Sequence, residues 1–200
     1  FFVDAAGHIV TNNHVIAGAE KILVTMKDGS KLDAKLVGTD SRTDLALLKV
    51  DRKKAFPYVA FGDSDRSEVG DWIVAVGNPF GLDHTVTTGI ISARGRSIGA
   101  GPYDDFLQID APINKGNSGG PAFNLSGEVI GVNTAIFSPT GGSVGIGFAI
   151  PSNLAKTVIA QLKDGGTVER GWLGVSIQNV TDGIANGVGL EKAEGAIIAG

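Results

Sequence analysis

Gly116-Asn117-Ser118-Gly119-Gly120-Pro121 is the stretch from which the rest of the chain is read. A serine stands among three glycines, between two runs of strand character. Acyl transfer by a hydroxyl needs its nucleophile exposed on a tight turn, with backbone N–H groups free to face a developing oxyanion. Glycine permits the dihedrals this demands and lets a substrate carbonyl come close. The same residue types also make an ordinary loop. Two upstream segments tip the balance. A histidine occurs in Thr11-Asn12-Asn13-His14-Val15 and an aspartate in Thr43-Asp44-Leu45-Ala46-Leu47. A lone histidine or a turn aspartate usually means nothing. Both occurring upstream of a serine in a glycine turn is better explained by one nucleophile–base–orienter set.

Composition bounds the possibilities. Two hundred residues, 42% hydrophobic and 19% charged, describe a globular chain with a real core. Thirty glycines, with scattered Val, Ile and Thr, point to many short strands joined by tight turns. A net charge of −4 without a basic stripe argues against a nucleic-acid surface. The absence of cysteine removes disulfides, thiolate catalysis and cysteine–zinc sites. No apolar run reaches the roughly 18 residues of a membrane span. No signal peptide is present, and Phe1 opens inside a strand-like run, so upstream sequence is expected to exist.

Alternation and turn signals lay out the elements. Phe1–Ala5 and His8–Asn12 flank a turn at Ala6-Gly7, and His14–Ala19 reads as a short helical turn. Lys21–Met26, Lys31–Gly38 and Leu45–Val50 read as strands, with Asp44 at a strand start. Residues 51–71 are a polar connection between two halves. Trp72–Val76, Thr85–Ala93, Phe106–Ile109, Pro121–Leu125, Glu128–Ile136 and Val144–Ile150 are further strands. Leu154, Val158, Ile159 and Leu162 then recur at helical spacing, from Pro151 to a stop at Gly165-Gly166. Trp172–Ile177 is one more strand. A dozen strands in two groups and one late helix predict an all-β double barrel or sandwich, with His14 and Asp44 in the first group and Ser118 in the second. The site would lie in the cleft between them. The order His…Asp…Ser is that of the chymotrypsin-type triad, not of the subtilisin or α/β-hydrolase arrangements.

Competing chemistries are weaker. His8, His14 and His84 lack any zinc-ligand spacing, so no metal is expected. Gly145-Ile146-Gly147-Phe148-Ala149-Ile150 begins like a dinucleotide fingerprint, but Ile150 holds the third glycine's place in an all-β setting. It reads as a strand that another backbone approaches closely.

Five motifs together resemble the HtrA/Deg family of serine endopeptidases: Thr11–Val15, Asp44–Leu47, Gly77-Asn78-Pro79-Phe80-Gly81, Gly116–Pro121 and Gly145–Pro151. The match runs to about Lys163. It implies a chymotrypsin/trypsin-like double six-stranded β-barrel, with His14, Asp44 and Ser118 as the triad and no cofactor. The oxyanion hole is expected at Gly116, Asn117 and Ser118. The family's activity is ATP-independent degradation of unfolded or misfolded proteins outside the cytoplasm, in the periplasm or an equivalent compartment. The alternatives are a chaperone-like binder of unfolded chains with little proteolysis, and a dead homologue acting as a scaffold; an intact triad argues for the enzyme. Arg170-Gly171-Trp172-Leu173-Gly174-Val175 resembles the entry to a PDZ domain, which divides the chain at 1–165 and 166–200, the second part incomplete. The family's first strand is absent, so the first barrel is expected to be open.

The resemblance also places a specificity pocket at Ile113, Thr134, Ala135, Ile136 and Ile146. The acid that selects Lys or Arg in trypsin-like enzymes, six residues before the serine, is Pro112 here. Cleavage after Val, Ala or Ile is expected, with loose selectivity, since one methylene decides only about 1–3 kcal/mol. Ser97–Asp105, Phe80–Thr85 and Ser138–Ser143 correspond to the family's switching loops, and the inactive form would collapse at Lys115–Asn117. Trimers, or larger assemblies of trimers, are the family's rule. Phe1 and Phe2 are candidate contacts, with core packing an equal explanation.

Overall fold

Leu45–Val50 is the spine of the first half. This strand, β4, is buried along nearly its whole length and pairs on both sides. β1 (His8–Asn12) lies antiparallel on one side, with Asn12 opposite Leu45. β3 (Lys31–Asp40) lies on the other and carries β2 (Ile22–Thr25) at its far edge. Ile9, Leu48, Val50 and Phe56 form the hydrophobic interior of this sheet. The computed structural model describes residues 1–78, 84–171 and 174–199. Within them the first half has four strands in the order β1-β4-β3-β2, where five were read from the sequence. Phe1–Ala5 makes no regular strand: it meets β1 about the Phe2–Ile9 bridge, through backbone hydrogen bonds of Phe1 with Val10 and of Val3 with His8. Asp4 turns the chain instead, its carboxylate accepting the N–H groups of Gly7 and His8.

The second half closes. β5 (Trp72–Gly77), β6 (Thr85–Arg96), β7 (Phe106–Ile109), β8 (Pro121–Phe123), β9 (Val129–Ile136) and β10 (Gly147–Pro151) form a barrel in the order β10-β7-β6-β5-β8-β9. Ile73, Ile91, Ile109, Ile113 and Ile130 fill it. Two expected strands are shorter than alternation implied. Pro121 opens β8 but the strand ends at Phe123, and β10 begins at Gly147 rather than Val144 because Gly145 takes φ of 80°. At Gly147 it is side chains that come close: an added Cβ would sit 3.0 Å from Ile113 Cγ1, with the nearest backbone atom, Ile109 O, at 3.5 Å.

The expected helix is α2, Ser152–Gly165. Pro151 precedes its first turn as the cap, and Gly166 ends it in the left-handed conformation. α2 packs on β3 and β4 of the first sheet and on β9 and β10 of the barrel. Its Ala155, Val158, Ile159 and Leu162 join Val10, Leu45 and Leu47 of one half to Val132, Phe148 and Ile150 of the other in one continuous core. The close fit at Gly38, where a Cβ would lie 2.2 Å from the Gly166 carbonyl oxygen, shows how tightly the helix end seats. Phe1 packs edge-on against Phe61, and Phe2 stacks on Phe56, so both side chains serve the core.

These elements make up one compact unit, Phe1–Val168; a second comprises Glu169–Gly200. The second contains β11 (Ser176–Asn179) and β12 (Ala196–Ala199), antiparallel to one another, and the short helix α3 (Asp182–Val188) capped by the Thr181 hydroxyl. The predicted strand Trp172–Ile177 begins at residues outside the described set, and β11 lies later than expected. No helix among the described residues is long and apolar enough to cross a membrane.

Candidate active site

The register of β1 on β4 brings the first two site residues together. Asn12 pairs with Leu45, so the residues just past Asn12 meet the residue just before Leu45. The ladder continues one step further, with the Asn13 N–H donating to the Asp44 carbonyl at 3.0 Å. There the chain turns into α1 (Asn13–Ile16), and His14 faces Asp44. The imidazole Nδ1 lies 2.6 Å from one carboxylate oxygen of Asp44, and the His14 backbone N–H donates to the other at 2.9 Å. An acceptor-only carboxylate at Nδ1 fixes the tautomer, with the proton on Nδ1 and Nε2 free as a base. Asp44 achieves this at φ of 57°, the sole non-glycine residue among those described in the left-handed region. Such outliers cluster where function dictates geometry.

Ser118 comes from the barrel. The turn Gly116–Gly120 is bound to β9: the Gly119 N–H donates to Asn133 O at 2.8 Å, and Asn133 N–H returns a bond to Gly120 O at 2.9 Å. Gly119 abuts the end of β1, where an added Cβ would lie 2.3 Å from Thr11 Oγ1 and 3.0 Å from Asn12 N. The Ser118 turn is thereby pressed against the strand that leads into His14. In this conformation the Ser118 hydroxyl donates to Thr134 O at 3.3 Å rather than to His14.

The turn also sorts the oxyanion donors. The Asn117 N–H is spent on Asn114 O at 3.0 Å, and its side chain is buried and points toward Pro112 O. Among the described residues the Gly116 and Ser118 N–H groups have no acceptor. Gly116, at φ of 102°, takes a conformation only glycine adopts easily. The expected hole therefore narrows to the Gly116 and Ser118 amides, without Asn117.

A pocket of about 290 Å³ opens beside Ser118, walled by Ile113, Asn114, Thr134, Ala135 and Ile136 and closed by Ser138 and Gly141. No carboxylate lines it and Lys115 stands in its wall, so it holds no negative charge to select a Lys or Arg side chain. Ile146 is not on its wall. That side chain packs against the shared core, while its carbonyl accepts Phe137 N–H at 3.0 Å. The Ser138–Ser143 loop is braced by Asn114, whose side-chain oxygen accepts Ser143 N–H at 3.0 Å. In the Ser97–Asp105 loop, Asp104 accepts N–H groups from Ile98 at 2.8 Å and Ala100 at 3.0 Å. Burial pulls its carboxyl upward, but these donors outweigh it and hold it below the usual carboxylate range. Most of the third loop, Phe80–Thr85, falls outside the described residues.

The remaining histidines do not gather. His8 pairs with Asp4 at 2.6 Å, far along β1 from His14, and among the described residues no three metal-ligating side chains converge.

Two halves, a serine on a glycine turn of the closed barrel and a His–Asp pair at the edge of the facing sheet define a class, and comparison with known proteins agrees. The chain belongs to the trypsin-like peptidase family, whose domain matches residues 1–132. The HtrA/Deg resemblance extends over the whole chain. It is 64% identical over 198 residues to a protein of Rhizobium meliloti (strain 1021) named as a probable periplasmic serine endoprotease DegP-like, covering 99% of this chain and 39% of that one. A protein of the same name from Rickettsia conorii (strain ATCC VR-613 / Malish 7) is 55% identical, with 100% and 40% covered. The solved structure of the HtrA-type protease AlgW with tripeptide superposes with a TM-score of 0.92 at 50% identity, covering 100% of this chain and 66% of that one. The chain spans about two fifths of the length of the curated relatives it matches.

Proposed function

We propose that this chain is the catalytic part of an ATP-independent serine endopeptidase of HtrA/Deg type, acting outside the cytoplasm, in the periplasm or its equivalent, on unfolded or misfolded proteins. The observation that carries the proposal is the His14–Asp44 pair, bonded at 2.6 and 2.9 Å, across from a serine on a turn with two unspent amides. Ser118 attacks the scissile carbonyl while His14 Nε2 takes its proton. Asp44 stabilises the imidazolium, and the Gly116 and Ser118 amides hold the oxyanion. His14 then returns the proton to the leaving amine, and water repeats the cycle on the acyl-enzyme. The pocket, with Ile113, Ala135 and Ile136 on its walls, takes a small aliphatic side chain such as Val, Ala or Ile. The protease names of relatives and structural neighbours favour this reading over the chaperone-like binder.

Glu169–Gly200 is, on this reading, the opening of a PDZ domain, and the working assembly is a homotrimer or a multiple of it. Labelling with a fluorophosphonate probe tests the nucleophile. The parent should label and degrade casein, with cuts mainly after small aliphatic residues, while Ser118→Ala should do neither. Casein degradation by Ser118→Ala would remove the assignment, and a preponderance of cuts after Lys and Arg would remove the pocket.

A further inference from the structure

We propose that Asn12 is a positioning residue that locks the His14–Asp44 pair to the Ser118 side of the site; the inference rests on the triad reading above. Asn12 is fully buried at the end of β1. Its side-chain amide donates twice, to the Asp44 carbonyl oxygen at 2.9 Å and to Thr134 Oγ1 at 3.0 Å. Both acceptors are committed to that role. A carbonyl can only accept, and the Thr134 hydroxyl spends its own proton on Val132 O at 3.0 Å. The amide orientation follows, because the reverse would set the Asn12 oxygen against the Asp44 carbonyl.

The consequence is a continuous path. Asp44 holds the imidazole through its carboxylate, Asn12 holds Asp44 through its carbonyl, and Asn12 also holds Thr134, whose carbonyl accepts the Ser118 hydroxyl. Asp44 needs such a hold. Its left-handed backbone is intrinsically disfavoured, and two donors on its carbonyl, from Asn12 and Asn13, oppose relaxation to an ordinary conformation. Among the described residues the Asn12 side-chain oxygen has no protein partner although it is buried. An apolar residue would avoid that cost, so retention of the amide is explained by the two bonds its nitrogen makes.

The test compares Asn12→Ala and Asn12→Leu with the parent in the full-length protein. Leucine matches asparagine in size and removes both donors without leaving a cavity. Two readouts separate positioning from stability: kcat and KM on a fluorogenic peptide with Val at the cleaved position, and the far-downfield proton resonance of the His14–Asp44 bond. If Asn12 positions the pair, kcat falls roughly 10- to 100-fold while KM stays within about twofold. The resonance broadens or vanishes. Val158→Ala, on the buried face of α2, serves as a control that loses stability but keeps the resonance and kcat below its melting range. Should both Asn12 variants fail to fold, Thr134→Val removes the cross-barrel acceptor, along with the local bond to Val132 O, and must lower kcat with the same spectral change. A folded Asn12 or Thr134 variant with parental kcat and an intact resonance overturns the inference, as does activity lost only in step with melting. Activity persisting in Ser118→Ala would instead overturn the triad reading itself.

Discussion

Replacing Asp44 by asparagine separates the charge of this residue from its shape. At φ of 57°, most side chains cost about 1–2 kcal/mol, whereas Asn and Asp adopt the left-handed region most readily. An asparagine therefore keeps the backbone and still offers an oxygen to the His14 N–H, now 2.9 Å away. At the second position an NH₂ group replaces the oxygen that lies 2.6 Å from Nδ1. Two donors cannot face each other, so Nδ1 becomes an acceptor and the ring proton moves to Nε2. That nitrogen can then no longer receive the Ser118 proton. The imidazolium formed during attack also loses its neighbouring carboxylate. The wrong tautomer in a site of this geometry costs about 10⁴ in kcat, or about 5.4 kcal/mol of transition-state stabilisation. Folding stability should change by less than about 1 kcal/mol, because one exposed-side hydrogen bond is exchanged and none is left buried without a partner. Asp44→Ala should add about 1 kcal/mol of backbone cost to the lost bonds and so lower the melting temperature as well. Steady-state peptide hydrolysis and thermal melts on the two variants decide the matter. An Asp44→Asn enzyme within tenfold of the parent, or one whose activity falls only as it unfolds, would refute the reasoning.

Three further outcomes are expected. Gly119→Ala places a methyl 2.3 Å from Thr11 Oγ1 and 3.0 Å from the Asn12 backbone, at φ of 80°; fluorophosphonate labelling should fall at least tenfold, with a stability loss of about 2 kcal/mol or more in urea titration. Leu162→Ala empties a fully buried position where α2 clamps the two halves, and equilibrium unfolding should show a loss of about 2–5 kcal/mol. Partial burial pulls the Asp4 carboxyl upward, but Lys163 at 2.8 Å and the backbone and ring donors of His8 outweigh it and hold it well below the usual range. A depressed carboxylate stabilises the fold above its unfolded value of about 3.9 and ceases to as pH falls below that. Thermal melts of parent and Asp4→Asn should therefore differ most near neutrality and converge toward about pH 2.

Much of this protein is legible without coordinates, for local reasons. Leu45–Val50 and Phe106–Ile109 are strands at the positions alternation and apolar runs indicate. The helix ends where Gly165-Gly166 says it must, because a left-handed cap is a property of a few adjacent residues. Ser118, His14 and Asp44 stand out because glycine turns, residue types and chain order are all written in short stretches. What eluded the sequence depends on partners distant along the chain. The tie between Asn12 and Thr134 spans 122 positions, and only the packing of the sheet against the barrel makes those two side chains neighbours. Packing likewise turned Ile146 into the core, spent the Asn117 amide on Asn114 and set Asp44 in a backbone conformation its own sequence disfavours. The sequence by itself determined which groups could do the chemistry, since that follows from side-chain identity and local dihedral preference. The tertiary structure alone decided which of them meet, at what distance and with which donors left unspent, since these are set by long-range contacts that no neighbouring residue encodes.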